Sequence, residues 1–183
     1  NLGGALRTIE KFTEAEEKYK IAIEINPDFA EVFNALGSLK LKQGNLDAAV
    51  SSFKKAIKIK PDYSSAFNNL GIAQLDKGDL NAAMESHRRA LEIDPSHPEY
   101  YSNIGNVFRD TGDFVSAKES FQEAIELDSD YAAAHWNQSL IYLAKEDFQN
   151  GWPKYEWRWK GSEFLTDSYL STSRPVWDSS TRE

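Results

Sequence analysis

Large apolar side chains recur along this 183-residue chain at one interval of 34 residues, with small side chains beside them at the same interval. Leu2, Leu36, Leu70 and Ile104 fill one column. Phe12, Leu46, Leu80, Phe114 and Phe148 fill a second, Tyr19, Phe53, Phe121 and Tyr155 a third, and Ile23, Ile57, Leu91, Ile125 and Trp159 a fourth. The small columns are Gly3, Gly37, Gly71, Gly105, then Ala15, Ala49, Ala83, Ala117, Gly151, then Ala22, Ala56, Ala90, Ala124. Large beside small at fixed offsets lets two helices approach closely and interlock with the next pair. A repeat array buries its apolar surface in this way, without a single central core.

Within each period the pattern predicts helix, turn, helix. Asn34 to Gln43 and Asn68 to Lys77 carry apolar residues at helical spacing. Gly44-Asn45, Gly78-Asp79 and Gly112-Asp113 then stop the first helix with a residue suited to a left-handed C-terminal conformation. A second helix follows, opened by Asn or Asp and closed by Pro27, Pro61, Pro95 or, in the fourth period, Ser129. No stretch alternates with a period of two long enough to form a sheet.

The segment from Ala30 to Pro61, AEVFNALGSLKLKQGNLDAAVSSFKKAIKIKP, carries an aromatic, Leu-Gly, Gly-Asn, Ala, aromatic, Ala and Pro in fixed order. This pattern resembles the tetratricopeptide repeat (TPR), and the resemblance covers about residues 1–160. It implies an all-α fold, a right-handed α-solenoid or superhelix of helix-turn-helix repeats, with an extended C-terminal tail. The divisions expected are a truncated repeat at 1–29, repeats at 30–63, 64–97 and 98–131, a divergent capping unit at 132–161, and a tail or linker at 162–183. The chain begins without Met inside what reads as a first helix, so it is expected to be a piece of a longer protein.

A TPR solenoid would offer a concave groove lined by the first helix of each repeat. The sixth position of the units reads Ala35, Asn69, Asn103, Asn137, and the fifth reads Asn34, Asn68, Ser102, Trp136. An Asn amide offers both a donor and an acceptor to a peptide backbone, whatever its side chains. An Asn ladder of this kind resembles the peptide-holding arm of O-linked N-acetylglucosamine transferase and its bacterial TPR relatives. The matching residues are Asn69, Asn103 and Asn137, and Ala35 breaks the series. Packing of adjacent repeats is the competing role for the same column. Ile72, Asn106, Leu140, Leu75, Arg109 and Leu143 would supply selectivity. The candidate groove is thus Asn34, Asn68, Asn69, Ile72, Asn103, Asn106, Arg109, Trp136, Asn137 and Leu140. The second position reads Glu31, Ser65, Glu99, Ala133, without the lysine of TPR domains that clamp the acidic tails of chaperones.

Composition narrows the remaining classes. A net charge of −8 argues against nucleic acid, which needs a basic surface. No apolar run is long enough to span a membrane. Cysteine is absent, which removes disulfide and thiol chemistry. His87, His97 and His135 have no Cys, His or carboxylate at metal-site spacing, and His87 and His135 fall in aromatic columns, where a packed ring is expected. No phosphate loop or nucleophile motif appears, so neither a cofactor nor an enzymatic reaction is expected of these residues.

Toward the end, FQNGWPKYEWRWK (Phe148 to Lys160) places Trp152, Tyr155 and Trp159 on one helical face, where they are expected to seal the last repeat, with Trp157 and Arg158 pointing elsewhere. Pro153 is expected near a helix start at Phe148 or Gln149. The segment GW-x-x-YEWRW followed by RPVWD, Arg174 to Asp178, resembles the junction between repeats and a downstream glycosyltransferase-like domain in bacterial TPR proteins, although Ser179 stands where those proteins carry glycine. The expected function is a protein-protein interaction module that holds an extended peptide or partner helix. The alternatives are the substrate-recognition arm of a larger glycosyltransferase-like protein, or a scaffold that self-associates through its solenoid ends. A bacterial, cytoplasmic setting is the expected one.

Overall fold

The computed structural model describes residues 2–160, with side chains from Lys11 onward. Helices follow one another as α1 (Leu2–Ile25), α2 (Ala30–Lys42), α3 (Leu46–Ile59), α4 (Ser64–Asp76), α5 (Leu80–Ile93), α6 (Pro98–Asp110), α7 (Phe114–Leu127), α8 (Ala132–Ala144) and α9 (Phe148–Tyr155). A 3₁₀ turn at Glu156–Trp159 comes last, and no strand occurs among the described residues. The fold is all-α. Its two compact units are Asn1–Asp130, with α1 to α7, and Tyr131–Glu183, with α8 and α9. The expected tail at 162–183, including the RPVWD segment, lies outside the described residues.

In the first unit, α2 packs on α3, α4 on α5 and α6 on α7. One turn design makes all three pairs. Gly44, Gly78 and Gly112 take φ of 73°, 82° and 83°. With these glycines left-handed, the next residue's N–H turns back to the carbonyls of Lys40, Gln74 and Phe108, each at 2.9 Å. The side chains of Asn45, Asp79 and Asp113 then cap the second helix by accepting from the N–H of Ala48, Ala82 and Ser116 at 3.1–3.2 Å.

Where the register of the first, truncated repeat puts a turn, α1 runs through without interruption. Glu10 stands in the column of Gly44 and Lys11 in that of Asn45. With neither a left-handed stop nor a cap, the helix continues.

The pairs close by inserting a ring beside a bare backbone. A Cβ added to Gly37 would lie 2.5 Å from the Phe53 ring, and one on Gly105 would lie 2.6 Å from Phe121. Gly71 does the same for an imidazole, His87, at 2.6 Å. Phe53, His87 and Phe121 are all fully buried. Successive pairs join through further apolar clusters: Ala49 and Phe53 meet Leu70 and Ala73, while Phe33 and Ala56 meet Ala66. Burial of this kind is the main stabilising contribution, at about 25 cal/mol per Å² of apolar surface.

The second unit keeps the plan and changes the parts. Glu146 stands in the glycine column with φ of 60°, and Asp147 caps α9 by accepting from Asn150 N–H at 3.2 Å. Ser139 occupies the column of Gly105 and is buried, while Tyr155, in the column of Phe121, is only half-buried. The close approach has moved to Gly151, whose added Cβ would lie 2.5 Å from Leu143 Cδ2. α9 begins at Phe148, as expected.

The expected aromatic seal is corrected here. Trp152 and Trp159 are exposed, at 52% and 42%. Trp157 stacks on His135 instead, with ring centres 3.9 Å apart and planes 12° from parallel. The cause is a change of helical phase. Pro153 lies inside α9, which ends two residues later at Tyr155. The 3₁₀ turn then brings round a residue that a continuous α-helix would have pointed away.

Candidate functional site: the first-helix face

In the first unit the candidate residues lie on α2, α4 and α6, and α4 packs against both α2 and α6. The asparagines of that face are already bonded to one another. Asn69 Nδ2 donates to Asn34 Oδ1 at 3.0 Å, and Asn103 Nδ2 donates to Asn68 Oδ1 at 2.9 Å. Each bond links one repeat's first helix to the preceding one. The column therefore contributes to stacking, and its surface atoms are what remains for a ligand.

Exposure divides the candidates. Asn34, Asn69, Ile72, Asn103, Asn106 and Arg109 are part-exposed, whereas Asn68 is 2% exposed and lies beneath the surface. Asn68 Nδ2 donates to Glu99 Oε1 at 3.0 Å, and its Oδ1 faces His87 Nδ1 at 3.1 Å. Asn34 Nδ2 reaches the Tyr63 hydroxyl at 3.5 Å. Arg109 Nε donates to Asp110 at 3.0 Å. In the second unit, Trp136 and Leu140 on α8 are part-exposed and Asn137 is buried at 6%.

Two features of this face were not read from the sequence. Glu99 is bound into the polar chain, and His87 supports it from below. The sequence signal was available, because His87 interrupts a column of Phe and Tyr. Burial pushes the His87 pKa down to about 4, so the ring is neutral near pH 7. Among the described residues no cluster of His, Cys, Asp or Glu could hold a metal. Among the same residues, no helix is long and apolar enough to cross a membrane.

The three helix pairs of the first unit repeat with a 34-residue period, each stopped by a left-handed glycine and closed by a ring against a second glycine. A family profile described as TPR repeat matches residues 3–44, 37–78 and 75–112, and one described as tetratricopeptide repeat matches 98–131. The chain belongs to the tetratricopeptide repeat family.

Comparison with curated proteins gives no match. Solved structures share the fold. MamA is 22% identical with a TM-score of 0.70, over 87% of this chain and 94% of its own. TTC0263, a thermophilic TPR protein of Thermus thermophilus, is 20% identical with a TM-score of 0.72, over 88% of this chain and 89% of its own. A mutant O-GlcNAc transferase of Thermobaculum terrenum is 26% identical with a TM-score of 0.59, over 62% of this chain and 22% of its own. TPR repeats are protein-interaction modules, typically without enzymatic activity of their own, and they bind proteins or peptides.

Proposed function

We propose that this TPR protein holds an extended peptide against the first-helix face of α2, α4 and α6. The observation that carries the reading is the pair Asn69 and Asn103. They are part-exposed, one repeat apart, and bonded to the preceding helix through one Nδ2 hydrogen each, which leaves amide atoms for a ligand. Ile72 and Arg109 border them. Four hydrogen bonds at about 0.5–1.5 kcal/mol each contribute about 2–6 kcal/mol before ordering costs, which by themselves reach about tens of micromolar at the strongest and millimolar or weaker otherwise. Trp136 and Leu140 are part-exposed on α8 of the second unit.

The test is an array of unstructured dodecapeptides probed with the full chain and with an Asn69→Ala/Asn103→Ala variant of unchanged helicity. Peptides should lose about thirtyfold or more in affinity on the variant. Equal binding by both proteins sinks the reading.

A second reading, a substrate-recognition arm of a larger transferase, is favoured by the likeness to the Thermobaculum enzyme, of which this chain spans about a fifth. Sequencing the gene through its full reading frame tests it. A transferase-like domain in frame supports it, and its absence ends it.

A further inference from the structure

The asparagine chain on α4 and α6 has a direction, and one charge sets it. Glu99 is a carboxylate on the surface of α6 and can only accept. The Asn68 atom 3.0 Å from it is therefore the amide nitrogen, which turns Asn68 Oδ1 the other way. That oxygen faces two groups, and each must donate to it. Asn103 does so through Nδ2 at 2.9 Å, and His87 through Nδ1–H at 3.1 Å.

His87 is thereby the Nδ1-protonated tautomer. Its Nε2 is buried and has no hydrogen-bond partner among the described residues. In the neighbouring pairs the same slot holds Phe53 and Phe121. An imidazole there gives up one solvated nitrogen in exchange for a hold on Asn68. Asn103 is part-exposed and bound through Nδ2, and its Oδ1 has no hydrogen-bond partner among the described residues.

The pair one repeat earlier lacks this lock. Asn69 donates to Asn34, but among the described residues Asn34 is otherwise anchored only by the Tyr63 hydroxyl at 3.5 Å, a group that can donate or accept. The two amides are free to turn over together.

We infer that Glu99 and His87 are positioning residues that fix Asn103 with its carbonyl oxygen outward, so that this point of the face selects ligands by an N–H donor. The inference deepens the proposed peptide site, and it rests on that reading only in placing the ligand on this face.

Long-range ¹H–¹⁵N spectra of the full chain at pH 7 should show His87 protonated at Nδ1 and bare at Nε2, and the reverse tautomer overturns the inference. Glu99→Ala removes a surface side chain. It should shift His87 toward the Nε2–H form and speed exchange of the Asn103 Nδ2 hydrogens by about tenfold, leaving Asn69 as it was. An unchanged tautomer and exchange rate remove Glu99 from the account. His87→Phe, which restores the residue type of the neighbouring pairs, should keep the helicity and produce the same faster exchange at Asn103. Unaltered exchange there removes His87.

Small amides then probe the face without any peptide. N-methylacetamide, which has an N–H, should shift the Asn103 carboxamide signals more than N,N-dimethylacetamide, which has none. Equal shifts, including none, overturn the donor selection. These spectra report on orientation even if no peptide binds. Peptide binding with the reverse tautomer would keep the proposed function and end this inference.

Discussion

The helix pair α6/α7 in the first unit and the pair α8/α9 in the second answer the same packing problem with opposite assignments. In α6/α7 the bare backbone is on the first helix, at Gly105, and the large side chain is on the second, at Phe121. In α8/α9 the first helix supplies Leu143 and the second supplies the bare backbone at Gly151. Ser139 fills the space that Gly105 leaves open, and Tyr155 stays half-buried. A partner column changes as well. Phe33 on α2 carries Lys55 over its ring and Phe67 on α4 carries Arg89. The same offset in the second unit pairs His135 with Trp157, a stack of two rings in place of a cation over one. Close helix approach requires one large and one small side chain at the crossing, and either helix can carry either.

All five tryptophans lie at position 136 or beyond, so tryptophan fluorescence reports the second unit while circular dichroism reports both. The comparison can therefore be broken one side at a time. The largest effect is expected from Phe121→Ala, which empties the slot beside Gly105 and should cost about 3–5 kcal/mol in urea melts followed by dichroism. Tyr155→Ala, at the same column in the second unit, should cost under about 2 kcal/mol because its ring is only partly withdrawn from water. Equal losses would mean that the two pairs close in the same way.

Next comes pH. The His87 pKa falls from an ordinary value of 6.5 to about 4 in the fold. The unfolded chain takes up its proton first as pH drops, so this contribution is complete above pH 6.5 and declines toward pH 4. The loss should reach up to about 3 kcal/mol. His87→Phe should flatten that part of the stability profile, and a slope unchanged by the substitution would place the titration elsewhere.

Gly151→Ala should cost about 1–3 kcal/mol by driving a methyl group into Leu143. The loss should be seen in fluorescence, and no loss would show that α8 and α9 are not locked at this point. The smallest effect runs the other way. Glu146→Gly replaces a non-glycine residue at φ 60° and should stabilise the second unit by about 1 kcal/mol, measurable as a raised urea midpoint.

The 34-residue columns made the helix pairs, their turns and their buried rings legible in the sequence, because each is set by local chemistry repeated in register. Gly44, Gly78 and Gly112 are examples: a left-handed stop needs no distant partner. The Trp157 contact was not legible, since Pro153 and the 3₁₀ turn shift the helical phase that placed Trp152, Tyr155 and Trp159 on one face. The candidate face was half legible. Its asparagines could be found by position, but their bonds to each other depend on how three helices bring Asn68, Glu99, His87 and Asn103 together. No periodicity encodes that meeting.

The glycine-and-ring closure of Gly37 with Phe53, Gly71 with His87 and Gly105 with Phe121 lies wholly inside one helix pair each time. A copying error that duplicates or drops one whole period therefore carries its own closure along. One that changes the length between a glycine and its ring sets that ring against a side chain. Whole periods are therefore the steps in which the array can lengthen or shorten with every closure intact.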